Sequence, residues 1–528
     1  MSVEPPENNG SRSPRTREAS TFSLLASARD IQDQLKGDLN GVEESDSPIV
    51  VGDGKADHMA KGWTVIQCRQ STDARERIAP MKSISSTLFA LNRKAQGDKK
   101  YRFKSLYRLI DKQMLYECFY RLKKNAATGV DGVTFSQYSK NLEENLVSLL
   151  DRLISKRYRA KAVKRTYIAK GNGKLRPLGI PSLEDKIVQM AAARILESIY
   201  EADFSDRSIG YRKNQPGARE ASNRLMRELN GGRYKWVVEA DIKSFFDEVD
   251  HDWVITMLEQ RVDDRAFTGL IRKWLKAGVL EPDETVPWDP HSGTPQGGII
   301  SPILANIYLH YVLDLWIENK LGREYSGEMI FMRYADDIIV GFQYASDAKD
   351  YLNRLPGRLG RFNLRLAEEK SSLVKFSYRD SDRSGKFTFL GFDFYWARSR
   401  KNKNHKVVKR RTNKKKFQQS LQRLKDWIKD SRSWPLKMIL SSLRKRLRGY
   451  WNYYGVNGNG RMIGRYHSAV KRLIYKWLNR RSQRKSFGWT RFAKLWHEHW
   501  QMPEARIVEP YRPLYKHDEQ GNLVPLID

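Results

Sequence analysis

The stretch FMRYADDIIVGF, residues 331–342, decides how this chain is read. Most of it is the material of a buried strand, yet Asp336 and Asp337 stand in its middle. Ionised carboxylates are costly in apolar surroundings unless they are paired or bind a cation. Taken with the residues before it, MIFMRYADDIIVGF reads as a hairpin whose turn carries both acids. Asp is also an ordinary turn residue, so this pair alone is explained equally well by a polar turn. A third acid, Asp241, ends the apolar run WVVEADI, which reads as another strand. Three carboxylates at strand ends supply the hard oxygen ligands that Mg²⁺ prefers, with substrate phosphates completing its octahedral shell. Two such ions, roughly 3.5–4 Å apart, clamp the attacking and leaving oxygens of a phosphoryl transfer.

The charge of the chain points the same way. Its 528 residues carry 96 Lys and Arg against 62 Asp and Glu, a net charge of +34. Such an excess fits a polyanionic partner better than a neutral one. A two-metal site on a strongly basic protein suggests nucleotide polymerisation or nucleic-acid cleavage. No apolar run reaches the ~18 residues of a membrane span, and no secretory signal opens the chain, so no membrane association is expected. The two cysteines, Cys68 and Cys118, allow one disulfide at most, and no Cys-x-x-Cys pair is present to hold zinc. A reducing cytoplasm is the expected location.

Along the chain, residues 1–78 are polar and read as a disordered or weakly helical extension, with TFSLLASARDIQDQL as one amphipathic candidate. Residues 79–396 alternate helical and strand patterns. LYRLIDKQMLYECFYRLKK at 106–124 has helical spacing, VKRTYIAKGNGKLRPLGIP reads as two strands about a turn, and SPILANIYLHYVLDLWIENKL as one long helix. FTFLGFDFYW alternates with period two and is read as one strand. Composition shifts at 397–398: RSRKNKNHKVVKRRTNKKK carries 11 Lys or Arg in 19 residues. Amphipathic patterns through 482 then read as a basic helical domain, and 483–528 as a basic, aromatic segment suited to DNA. The fold class expected is α+β around an antiparallel sheet, followed by an α-helical domain.

ADIKSFFD, GTPQGGIISPILANIYL and RYADD, in that order, resemble the palm motifs of reverse transcriptases, and LGFDFYW resembles the strand that follows them. GVDGVT and GKLRPLGIP resemble upstream finger motifs of group II intron-encoded reverse transcriptases; RLRGYWNYYG and KWLNRRSQRKSFGW resemble the thumb, or maturase, region of that family. The resemblance runs over about residues 80–510. It implies a right-hand polymerase, with fingers and palm in 79–396 and a helical thumb in 397–482. It also implies that Asp241 and Asp336 ligate two Mg²⁺ ions, with Asp337 a more peripheral third acid and Ile242 contributing a backbone carbonyl.

Other roles follow from the same resemblance. Phe246 packs under the sugar and excludes a 2′-OH, the group that distinguishes RNA from DNA. Gln296 contacts the incoming nucleotide, and Gly297 lets backbone approach it closely. Lys170 and Arg176 grip the triphosphate, Arg as a bidentate fork and Lys as a point charge. Lys370 acts as general acid for the leaving pyrophosphate. The implied partners are group II intron RNA, a DNA target or primer, and deoxynucleoside triphosphates, with a homodimer left open. The basic segment 398–416 and Tyr450, Trp451, Tyr453 and Tyr454 suit RNA binding by charge and stacking, with about half of these aromatics expected in the core. The sequence departs from many relatives in lacking a cysteine- and histidine-bearing nuclease, so the primer is expected from elsewhere. SIGYRKNQPGAREA matches its family segment loosely and is given no catalytic role. Two other readings stand beside the polymerase: a splicing-only RNA-binding protein, and a reverse transcriptase recruited to defence or repair.

Overall fold

A computed structural model describes residues 84–509 apart from 170–174, 214, 216, 283, 285, 288–292, 294–296, 379–383, 400–403 and 482–487, together with the backbone of 515–517 and 523–525. Lys170, Gln296, Cys68 and the helix expected in TFSLLASARDIQDQL therefore lie outside the described residues.

The strands, in chain order, are β1 (Val163–Ala169), β2 (Leu175–Ile180), β3 (Trp236–Asp241), β4 (Val279–Leu280), β5 (Met329–Tyr334), β6 (Asp337–Phe342), β7 (Ser372–Lys375), β8 (Phe387–Phe389), β9 (Phe392–Arg398) and β10 (Lys406–Thr412). An antiparallel sheet of order β5-β6-β3-β7 stands at the centre. Two smaller sheets have the orders β2-β1-β4 and β10-β9-β8.

The central strands are apolar on both faces because both faces are covered. Val238, Ala240, Ile338 and Val340 join a large core built mainly from helices such as Leu183–Tyr200 and Ser301–Leu309. Their neighbours Val237 and Ile339 point the other way, into a second core with Phe376, Phe387, Phe392, Phe394 and the helix Ala218–Asn230. That double burial explains why WVV and IIV are continuous rather than alternating.

The helices Lys414–Asp430, Leu436–Tyr454 and Gly460–Leu478 make a third core, with Leu424, Leu443, Trp451 and Ile474 inside. Phe492, Trp496 and Trp500 fold back into that same core. Lys414–Lys416, Arg423, Lys425 and Lys429 stay on the outside of the first helix. No described helix is long and apolar enough to cross a membrane.

Four local expectations are corrected. Residues 106–124 are not one helix: a 3₁₀ turn, Leu106–Leu109, gives way to a helix at Lys112, where the Asp111 carboxylate accepts from Met114 N at 2.7 Å. A capping Asp starts a new helix inside what looks like one periodic run. FTFLGFDFYW is two strands, with Leu390 (φ 50°) and Gly391 (φ 78°) forming the turn between β8 and β9. Period two is the same along a strand and around a tight hairpin, so the spacing alone could not separate them. The helix after Ser301 widens into π turns at His310–Asp314 and Trp316–Leu321. The basic run near 400 is partly a strand: β10 pairs with β9, and Arg410 is wholly buried against Glu509 at 2.5 Å.

Candidate active site

Sheet register brings the acids together. Asp241, the last residue of β3, is the cross-strand partner of Asp337, the first residue of β6. Asp336 occupies the turn between β5 and β6, next to Ala335, whose φ of 57° is left-handed. Burial is the largest influence on the Asp336 carboxyl and raises its pKa, and the negative charge of Asp241 adds to this. Lys370 and Arg176 oppose it. The Asp337 carboxyl is pushed up to about 6, first by burial, then by Asp336 and Asp241. Asp337 remains open to the cleft, so solvent screens part of that repulsion.

Lys370 ends a short turn, Glu368–Lys370, and donates to the Asp241 carboxylate. That bond is the main reason the Lys370 ammonium is held above its usual range. The turn itself is strapped to the end of β3: Ala367 N donates to Asp241 O at 2.8 Å and Lys243 N to Arg365 O at 2.9 Å. This strap uses the carbonyl of Asp241 rather than that of Ile242, while the Ile242 side chain is buried.

Phe246 is half-buried, edge-on to the fully buried Phe245 with ring centroids 5.3 Å apart. It follows Ser244, which has φ 43°. Gly297 has φ 121°, and a Cβ there would lie 2.6 Å from Gly179 O. Only glycine suits that backbone, so the loop before Ser301 lies directly on β2. Ile299 N donates to the Gln189 side chain at 3.0 Å and holds the far end of the loop. Arg176, on β2, is exposed, and its charge reaches Asp336 and Tyr211. The structure thus gathers Asp241, Asp336, Asp337 and Lys370, sets Arg176 within electrostatic reach, and places Gly297 against β2.

Several neighbours were not assigned to this site from the sequence. The segment Ser208–Tyr211 runs beside β5: Ile209 N donates to Arg333 O at 2.9 Å, and Arg333 N to Arg207 O at 2.9 Å. Gly210 sits against the turn that carries Asp336, where a Cβ would come 2.4 Å from Ala335 N. Tyr211 is more than half exposed, and its hydroxyl pKa is raised by partial burial and then by Asp336. From the helical region, Lys416 eases the charge on Asp337. Tyr453 stacks on Phe392 at 5.8 Å, and its hydroxyl donates to Leu390 O at 2.9 Å. The one sequence signal for this surrounding shell was Arg333, a cation inside an apolar strand, which requires a buried partner.

Among the described residues, no three or more His, Cys, Asp or Glu side chains converge into a cage able to hold a metal by themselves. The donor set nonetheless fits Mg²⁺, which draws further ligands from substrate phosphates: all three acids offer hard oxygens, and burial first, then neighbouring negative charge, raises both Asp336 and Asp337.

Comparison with known proteins adds independent findings. Residues 168–394 match the reverse transcriptase (RNA-dependent DNA polymerase) family, and residues 414–496 match the group II intron maturase-specific domain. The group II intron-encoded protein LtrA of Lactococcus lactis subsp. cremoris is 39% identical over 265 residues, covering 48% of this chain and 42% of LtrA. Protein YkfC of Escherichia coli K12 is 36% identical over 239 residues, covering 40% of this chain and 62% of YkfC. An uncharacterised 91 kDa protein in the cob intron of Schizosaccharomyces pombe is 35% identical over 240 residues, covering 44% of this chain and 28% of that protein. The chain thus spans less than two thirds of the length of each of these relatives.

Proposed function

Because the chain belongs to the family of group II intron-encoded reverse transcriptases with a maturase domain, we propose that it is an RNA-directed DNA polymerase that binds its intron RNA, assists its splicing and copies it into DNA. The observation that carries this reading is the pairing of Asp241 with Asp337 across β3 and β6, with Asp336 in the adjoining turn. Residues 79–396 then act as fingers and palm, and 397–482, helical from Lys414, as thumb.

In this reading Asp241 and Asp336 hold two Mg²⁺ ions, helped by the Ile242 carbonyl and, more peripherally, by Asp337. Bound there, the ions supply activation of the primer 3′-hydroxyl and neutralise charge on the transferred phosphoryl group. The chain's own groups do the rest. Arg176 and Lys170 grip the triphosphate and draw charge toward the leaving pyrophosphate. Lys370, whose ammonium is held above its usual range by its bond to Asp241, would give its proton to that pyrophosphate. Phe246 blocks a ribose 2′-OH, and Gln296 with Gly297 seats the nucleotide against β2.

The exposed lysines and arginines of the first thumb helix supply the contact to RNA phosphates. About half of the four aromatics lie in the core, as expected. Tyr450 and Trp451 are buried, and Tyr453 and Tyr454 both pack on Phe392.

Primer extension on an RNA template tests the reading. Wild-type protein is expected to make DNA, and Asp336→Ala none. Wild-type protein that promotes splicing yet extends no primer overturns the polymerase and leaves the splicing-only alternative.

A further inference from the structure

Arg333 and Asp314 are both wholly buried, and their side chains meet as a fork, Nε to Oδ1 at 2.7 Å and Nη2 to Oδ2 at 2.6 Å. The remaining guanidinium nitrogen, Nη1, donates to Asn306 Oδ1 at 3.2 Å and to Ala335 O at 3.1 Å. Asn306 in turn donates from Nδ2 to Gly210 O at 2.8 Å. One guanidinium therefore ties the helix Ser301–Leu309, its π turn at 310–314 and the turn that carries Asp336. Asn306 extends the tie to the segment packed on the other side of that turn.

Stability alone is a weak reason for such a pair, because apolar residues of similar size often replace a buried ion pair without loss. What an apolar pair could not do is hold the Ala335 carbonyl. Ala335 has φ 57°, a conformation that a residue other than glycine keeps only when its surroundings impose it. The π turns matter for the same reason. The one at His310–Asp314 changes the phase of the helix between Asn306 and Asp314, so both reach a single arginine, and such bulges recur at functional sites.

We propose that Arg333, Asp314 and Asn306 form a clamp that positions the Asp336 turn for nucleotidyl transfer. They are positioning residues: none of the three is assigned to substrate or metal. The inference rests on the polymerase reading of the site, and its test separates the two.

The decisive variant is Arg333→Met with Asp314→Leu, which removes the fork but fills the space. Three quantities are measured on the full chain: the thermal midpoint, kcat and KM for nucleotide in primer extension, and amide hydrogen exchange across 334–337 without metal. The expected result is a midpoint near that of wild type, faster exchange at the turn and a kcat lowered by up to about 10²-fold, the loss that follows a misplacement of about 1 Å. KM for nucleotide stays unchanged. Arg333→Lys keeps the charge but not the fork, and is expected to lose kcat as well.

A folded double variant with unaltered exchange, or with wild-type kcat, overturns the clamp. If the double variant does not fold, Asn306→Leu decides on the same two readouts, because it cuts the tie to Gly210 and spares the ion pair. Wild-type protein that extends no primer refutes the polymerase reading alone, and exchange at the turn then decides whether the clamp holds it.

Discussion

Gly210→Ala probes how tightly the turn carrying Asp336 is built. The added methyl would stand 2.4 Å from Ala335 N, 3.0 Å from Tyr334 C and 3.2 Å from Tyr334 Cα, all backbone atoms. Ordinary contact begins at 3.4 Å, so the two chains must part by about 1 Å, and no rotamer change can absorb it. Overpacking of this kind costs about 1–3 kcal/mol of stability, which a chain with cores this large survives. The catalytic cost is larger in proportion, because the turn that must move carries Asp336. A displacement of about 1 Å is worth up to ~10²-fold in rate, or about 2.7 kcal/mol of barrier at 1.36 kcal/mol per decade. Steady-state primer extension on an RNA template reads this as lower kcat with little change in KM for nucleotide. Gly269→Ala is the control: its site is open and helical, so a gain of roughly 0.5–1 kcal/mol and wild-type activity are expected. A folded Gly210→Ala protein with wild-type kcat would refute the claim that this contact sets the turn.

The two acids of the turn should not respond alike. Asp336→Ala is expected to abolish synthesis and Asp337→Ala to reduce it less, and equal, negligible effects in the same assay would show the site misread. The pH dependence follows from Asp337, whose carboxyl rises from 3.8 to about 6 in the metal-free fold. A raised carboxyl favours its protonated form, so its charge destabilises the fold above about pH 6, and that penalty eases as pH falls toward 4. Mg²⁺ must displace that proton, so the Mg²⁺ concentration for half-maximal extension should climb as pH drops below about 6; a flat requirement between pH 5.5 and 8 contradicts this. Glu509→Gln leaves Arg410 charged in a site where both side chains are at most 2% exposed. Breaking such a pair costs about 3–5 kcal/mol, so urea should unfold the variant markedly earlier, and a midpoint equal to wild type would show the pair to be idle.

What was legible in the sequence was chemistry with its own local signature. The acids at 241, 336 and 337 stood out because charge inside apolar strands is costly and demands a reason, and the order of the motifs carried the family. The α+β character was legible too, since strands and helices announce themselves by period. What failed locally did so where two structures share one pattern: Asp111 splits a periodic helix, and Leu390–Gly391 turns a period-two run back on itself.

The chain alone thus nominated the groups proposed for the chemistry, because a hard divalent cation and a triphosphate restrict the residue types that can serve them. Only the tertiary structure decided how those groups are held. Lys370 reaches Asp241 across 129 positions of chain. Arg333 meets Asp314 and Asn306 through a helix whose phase is shifted by a π turn, and Gly210 matters for a contact with backbone 125 residues away. Such pairings come from sheet register and helix packing, which depend on every neighbouring side chain at once. Arg410 shows the difference most plainly: in a basic run it reads as one more solvated charge, and in the fold it is the buried partner of Glu509.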